Sequence, residues 1–258
     1  MLNVTKKKWS LTLLSAIAAA GMHLTPIAQG FMEDSLLNKE AKSSSHYDMV
    51  LAFGRCLGIR GSDAQTIANY SQATDSVRFN GISTDFTGRT SPNGVYFHVP
   101  QSIRSVDALQ EIKIWSDPSN LGSGYAPKDL PAVTEQVKSL AGTLEAFGVY
   151  LHSLGDKYSH LACTDADYEP HCGFPFPACA SKVDLDFCHY KVAHDHEYGA
   201  DPTLTQNAAT GLAKIYSAMA VRYGKGDAVP ANVQQLIQTF VNSPKAGDRV
   251  AIAGAACR

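Results

Sequence analysis

Apolar residues along this chain recur at three- and four-residue intervals far more often than they alternate, which is the periodicity of amphipathic helices rather than strands. A first helix is predicted from about His46 to Leu57, stopping near Gly58, and a second with Ser62-Asp63 as its N-cap, running through about Val77 with Ile67, Tyr70 and Thr74 in helical register. A third covers about Ser105 to Trp115. The longest is expected to start at Pro131, a residue favoured in a first helical turn, and to reach about Ala162. Val133, Val137, Leu140, Leu144, Phe147, Leu151 and Leu154 would form its apolar face. Two more are predicted over about Leu204–Arg222 and Asn232–Asn242. Between them, Gly81, Gly88, Pro92 and Gly94 break up residues 79–100 into loops or a small hairpin, and residues 117–131 are again rich in Gly, Pro and Ser. Pro170, Pro175 and Pro177 forbid a continuous helix through the stretch from Cys163 to Cys188. No internal repeat is visible. The pattern predicts an all-α, multi-helix bundle with Gly/Pro-rich loops and one disulfide-rich loop.

The first thirty residues break this amphipathic pattern. Lys6, Lys7 and Lys8 precede an apolar run from Trp9 to Met22, and Ala28-Gln29-Gly30 offers small residues at the positions a signal peptidase inspects. Residues 1–30 are therefore read as a signal peptide cleaved before Phe31, and residues 31–258 as a single helical metal-binding domain. Its expected destination is secreted or periplasmic, with no stable membrane span after processing. Six cysteines fit an oxidising compartment. Four of them, Cys163, Cys172, Cys179 and Cys188, are clustered, while Cys56 and Cys257 stand far apart, and the spacing selects no pairing. The formal net charge of −2 becomes more acidic once the three lysines are removed, which argues against a broad electrostatic grip on nucleic acid.

The candidate chemistry lies in the longest predicted helix. In His152-Ser-Leu-Gly-Asp156-Lys-Tyr-Ser-His160, two imidazoles and a carboxylate recur every four residues, so a helix puts all three on one stripe. These are ligand types that zinc accepts. Other candidates fall on separate predicted elements: His46 at the start of the first helix, Asp75 late in the second, His98 after a Gly-rich segment, and His194, His196, Glu197 and Asp201 beyond the cysteine loop. Metal sites in helical bundles draw ligands from several helices in this way. His171 and His189 sit among cysteines and are left out, and Glu135, Lys138 and Glu145 suit the wet face of their helix. There is no Gly-rich phosphate loop leading into a helix and no Gly-x-Ser-x-Gly.

The order of these residues, with His-x-Leu-Gly-Asp at His152–Asp156 as its sharpest element, resembles the zinc-dependent phospholipase C and single-strand-specific nuclease superfamily, closest to secreted bacterial relatives. The resemblance implies an all-helical fold holding two or three zinc ions. It implies that Asp75, His98, His152 and Asp156 hold one zinc, that Asp156 bridges to a second also held by His46, and that His160 with the His194, His196, Glu197 and Asp201 cluster holds a third. Three residues separate Asp156 from His160 where the family pattern has five, and neither His194 nor His196 has an acid four residues on. The implied activity is hydrolysis of a phosphate ester, the substrate being a phospholipid, a nucleic acid or a small phosphodiester, with Asp75 orienting the attacking water or accepting its proton. The alternative is a non-catalytic exported metal-binding or interaction protein on the same scaffold.

Overall fold

The computed structural model describes residues 43–74, 103–117, 119, 137–159 and 202–258. Among these the chain is helical, without strands. A π-helical segment, Ser44–Met49, runs directly into α1 (Val50–Cys56). Gly58, at φ +67°, ends that helix as a left-handed residue that costs glycine nothing. Next come α2 (Gly61–Ala73), α3 (Ile103–Ser116), α4 (Leu144–Ser159), α5 (Pro202–Arg222), α6 (Ala231–Val241) and α7 (Ala246–Ala255). No helix among the described residues is long and apolar enough to cross a membrane.

The centre of the bundle is α4, which packs against α2, α3 and α5. Every position from Ala146 to Asp156 is buried, so this helix runs through the core rather than lying on it with one face fully wet. Two glycines let its neighbours come that close. A Cβ on Gly148 would stand 2.5 Å from the Ile67 carbonyl oxygen and 2.9 Å from the Ser71 nitrogen of α2. On the α5 side a Cβ on Gly211 would stand 3.0 Å from the carbonyl oxygen of Gly155. Contacts of backbone on backbone leave no room for a methyl group.

Three details depart from the pattern read in the sequence. The helix expected to run unbroken from Pro131 to Ala162 is interrupted: a short 3₁₀ turn at Lys138–Leu140 is followed by extended Ala141 and by Gly142 at φ +75°. The Thr143 hydroxyl then caps a new helix by accepting from the Ala146 amide at 3.3 Å. Hydrophobic spacing stays in phase across this break, which is why periodicity alone runs through it. The second helix begins at Gly61 rather than after Ser62-Asp63, with Asp63 in its first turn pairing with Arg60 at 2.5 Å. Its described part ends at Ala73 with Thr74 as C-cap; Val77 lies outside the described residues. A last helix, α7, was hidden by its content of Ala and Gly.

Cys56 and Cys257, whose pairing the spacing left open, are joined in a disulfide that spans 201 residues of chain. By the chain-entropy account, closing so long a loop contributes about 5 kcal/mol through the unfolded state. Cys257 itself is held at φ +52°, an uncommon conformation for a residue with a Cβ. The predicted signal peptide and the Cys163–Cys188 loop lie outside the described residues.

Candidate metal centre

Of the predicted site residues, the structure describes His46, His152 and Asp156, and it brings all three together. One ligand atom from each lies within 4.8 Å of the others. Asp75, His98, His160, His194, His196, Glu197 and Asp201 lie outside the described residues.

Local structure sets each side chain. His152 and Asp156 are one turn apart on α4 and face the same way. His46 comes from the π-helical segment, where the Ser43 hydroxyl caps the first turn by accepting from the His46 amide at 3.2 Å. Single π-helical turns take an extra residue per turn and are found at functional positions more often than chance would give. Gly155 packs beside the histidine: a Cβ there would crowd Ile215 Cδ1 at 3.0 Å and lie in ordinary contact with His46 Cε1 at 3.7 Å.

The carboxylate of Asp156 bridges the two rings, with Oδ1 at 3.1 Å from His46 Nε2 and Oδ2 at 3.0 Å from His152 Nε2. The rings themselves stack at 3.8 Å between centroids with 24° between planes. All three side chains are 0% exposed. A carboxylate without water must be compensated nearby, because an isolated buried charge costs many kcal/mol.

The tautomer of His152 narrows what that compensation is. Its Nδ1 lies 2.8 Å from the Ser71 carbonyl oxygen, and since a carbonyl only accepts, Nδ1 carries the hydrogen. In the neutral ring Nε2 is then a lone pair aimed at a carboxylate oxygen 3.0 Å away. Two lone pairs at that distance repel unless a positive centre stands between them, either a proton or a metal ion. His46 Nε2 can carry its own hydrogen to Oδ1 as a neutral ring, so one positive centre between His152 Nε2 and Oδ2 is all the geometry asks for. A divalent metal is one such centre, and it accepts all three donor groups. A histidine ligand that donates its other N–H to a backbone carbonyl is the usual way a metal site fixes its imidazole. The donor set of two imidazole nitrogens and a carboxylate fits zinc.

Sequence reasoning missed the residues that support the three candidate ligands. The Ser71 carbonyl has no signature, because any residue there would present one. Gly148, four residues before His152, was open to recognition as a close-packing position. Arg249, 1% exposed, donates from Nε to the Ser44 hydroxyl at 3.3 Å and from Nη1 to the Ser243 carbonyl at 3.0 Å. It sits in a helix the periodicity did not mark.

The other side of α4 is chemically different. Phe147, Tyr150 and Leu154 line a groove of about 920 Å³ shared with Lys113 and Asp117 beside α3 and with Lys214 and Arg222 on α5. The Arg222 guanidinium lies 4.5 Å above the Phe147 ring and donates to the Ser116 carbonyl. Burial pushes the Tyr150 hydroxyl up to about 12. No family model, curated protein or solved structure matches the chain.

Proposed function

We propose that the protein is an exported zinc-dependent hydrolase of phosphate esters, with His46, His152 and Asp156 in its metal site and a fold of the phospholipase C and nuclease type. The observation that carries the reading is the convergence of those three side chains, in the tautomer that turns His152 Nε2 toward Asp156. Further support is the order of His46, Asp75, His98, His152 and Asp156 along the chain and the helical character of the described residues. Bound at such ligands, zinc would lower the pKa of water toward about 7 and offset charge on phosphoryl oxygens. The chain's own part is to position and to exclude water. Ser71 fixes the His152 ring, the closely packed α2 and α5 keep Asp156 dry, and Asp75 is the proposed group that orients the attacking water or takes its proton. Asp75 and His98 are the proposed partners of His152 and Asp156 on one zinc, and His160, His194, His196, Glu197 and Asp201 are the proposed ligands of a third ion.

A second reading has a specific observation in its favour. The three side chains are wholly buried, whereas catalytic zinc sites keep a position open to water or substrate. On that reading the ion is structural and the protein a metal-stabilised binding module. Metal analysis of the purified protein, paired with hydrolysis of an activated phosphodiester with and without chelator, separates the two. Two or more tightly held zinc ions and chelator-sensitive turnover are expected for the hydrolase. One zinc, no turnover across phospholipid, nucleic acid and small diester substrates, and unfolding on chelation would establish the structural site instead. No metal at all would sink both.

A further inference from the structure

We propose that the C-terminal helix α7 is a splint that holds the metal ligand His46 in place, and that the Cys56–Cys257 disulfide is the reducible fastening of that splint. The idea deepens the metal-site reading and rests on it where metal affinity is concerned.

His46 is the third residue of its helical segment, and helix ends are the parts that open first because their outer turns have the fewest bonds. A ligand so near an end needs something outside its own helix to keep it from fraying. The C-terminal helix supplies this at two points. At its far end Cys257 is bonded to Cys56, and the neighbouring Arg55 donates to the Ala253 carbonyl and, from Nε at 3.3 Å, to the Ala256 carbonyl. Arg55 thereby caps the last turn of α7 with a cation, where the helix dipole favours one. At its near end the buried Arg249 reaches the Ser44 hydroxyl at 3.3 Å, while its Nη1 ties down the loop before α7 through the Ser243 and Pro244 carbonyls at 3.0 and 3.3 Å. Ser44 lies between Ser43, whose hydroxyl caps the turn, and His46 itself. The splint is thus bound to both ends of the helical run from Ser44 to Cys56, with the ligand beside one of its attachment points.

Arg249 is a positioning residue on this account: it touches Ser44, and acts on His46 through it. Cys257 is exposed and Cys56 partly so, which leaves the disulfide open to thiol exchange. A dithiol reductant attacks one sulfur as its thiolate, and its second thiol then displaces the mixed disulfide. The S–S bond takes two electrons and two protons from the reductant, giving the Cys56 and Cys257 thiols and leaving the reductant as a disulfide. Reduction would unfasten the far end of α7 and weaken the hold on Ser44.

The test uses the full chain and zinc alone as probe, with affinity read by competition against a chelating dye. Cys56→Ser combined with Cys257→Ser, and separately Arg249→Met, are each expected to weaken zinc binding roughly tenfold, the low end of what loss of a ligand-orienting partner costs. Arg249→Lys should recover part of the loss. In a His46→Ala background the same changes should have no further effect, because the ligand through which the splint acts is gone. A loss of equal size in that background marks a general effect on the fold and overturns the proposal, as does unchanged affinity. Amide hydrogen exchange of the double Ser variant gives a reading that needs no metal. Faster exchange over residues 44–49, with α4 unchanged, supports the splint; unchanged exchange there refutes it. Absence of zinc binding in the unaltered protein would defeat the metal reading while leaving the exchange result to decide the splint.

Discussion

The two sides of α4 invert the usual arrangement of a buried helix. Phe147, Tyr150 and Leu154, on the opposite side of the helix from His152 and Asp156, retain 4, 8 and 9% of their surface. His152 and Asp156 retain none. The aromatic side of the helix therefore touches solvent through a groove, while the ionisable side lies at the dry centre of the bundle. Apolar groups gain from burial roughly in proportion to area and lose little from a small residual exposure. A carboxylate gains nothing from burial by itself. Its presence at the centre has to be explained by what it binds, and here that is two imidazoles and, by inference, an ion.

The sharpest way to break this contrast is to remove the carboxylate. Asp156→Ala is expected to cost about 3–5 kcal/mol of stability, because the histidines lose their buried partner, and to abolish tight zinc binding. Denaturant unfolding with and without zinc measures both. A variant with wild-type metal content would end the case for the site. On the other side Leu154→Ala should cost about 2–4 kcal/mol through lost packing while leaving zinc affinity unchanged; a large fall in affinity would mean that the two sides are not independent.

Tyr150 makes a pH-dependent prediction. Its folded-state pKa is pushed up to about 12 by burial, against about 10 in an unfolded chain. The neutral phenol is the form the fold favours, so this contribution is complete below pH 10 and is lost as pH climbs through 12. The loss amounts to about 2–3 kcal/mol. Tyr150→Phe should flatten the alkaline fall by that much in a comparison of unfolding midpoints from pH 9 to 12, and parallel curves for the two proteins would disprove it.

Glycine substitutions give smaller effects of opposite sign. Gly148→Ala drives a methyl group into the backbone of α2 and is expected to cost about 1–3 kcal/mol. It should also weaken zinc binding, since the Ser71 carbonyl moves with that backbone. Gly247→Ala, with nothing within 4 Å of the new methyl, should instead raise stability by about 0.5–1 kcal/mol. Thermal unfolding and zinc competition on the same pair of proteins show whether the close approach, rather than glycine content, is what matters.

Much of the helical frame was readable in the sequence, because amphipathic spacing carries through α1, α2, α3, α5 and α6. The break at Gly142 was not, since Val137, Leu140 and Leu144 keep in phase across it and only a cap of Thr143 on Ala146 reveals the restart. The helix α7 escaped because its buried positions are Arg249 and Ala253, which hydrophobic periodicity does not count. In the site, His152 and Asp156 were legible as a pair one turn apart. His46 was suggested by its chemistry alone, and its place against them depends on how the π-helical segment packs on α2 and α4. What could not be read was the support, Ser71 and Arg249, since it works through a backbone carbonyl and through contacts between the two ends of the described chain.

The π-helical segment at Ser44–Met49 carries a further consequence. Such a turn takes in about one more residue than an α-turn, so it acts as a phase shift between the start of the helix and α1. Deleting a single residue from it would restore α-helical winding and turn His46 by roughly 100°, away from Asp156, while α1 kept its place in the core. A chain with Asp48 deleted, between His46 and α1, is therefore expected to fold and to lose zinc affinity as His46→Ala does. Retention of full affinity would show that the histidine is not phased by the turn. In genetic terms the proposed ligand set hangs on an in-frame codon: one triplet separates a helix that delivers an imidazole to the centre from one that does not.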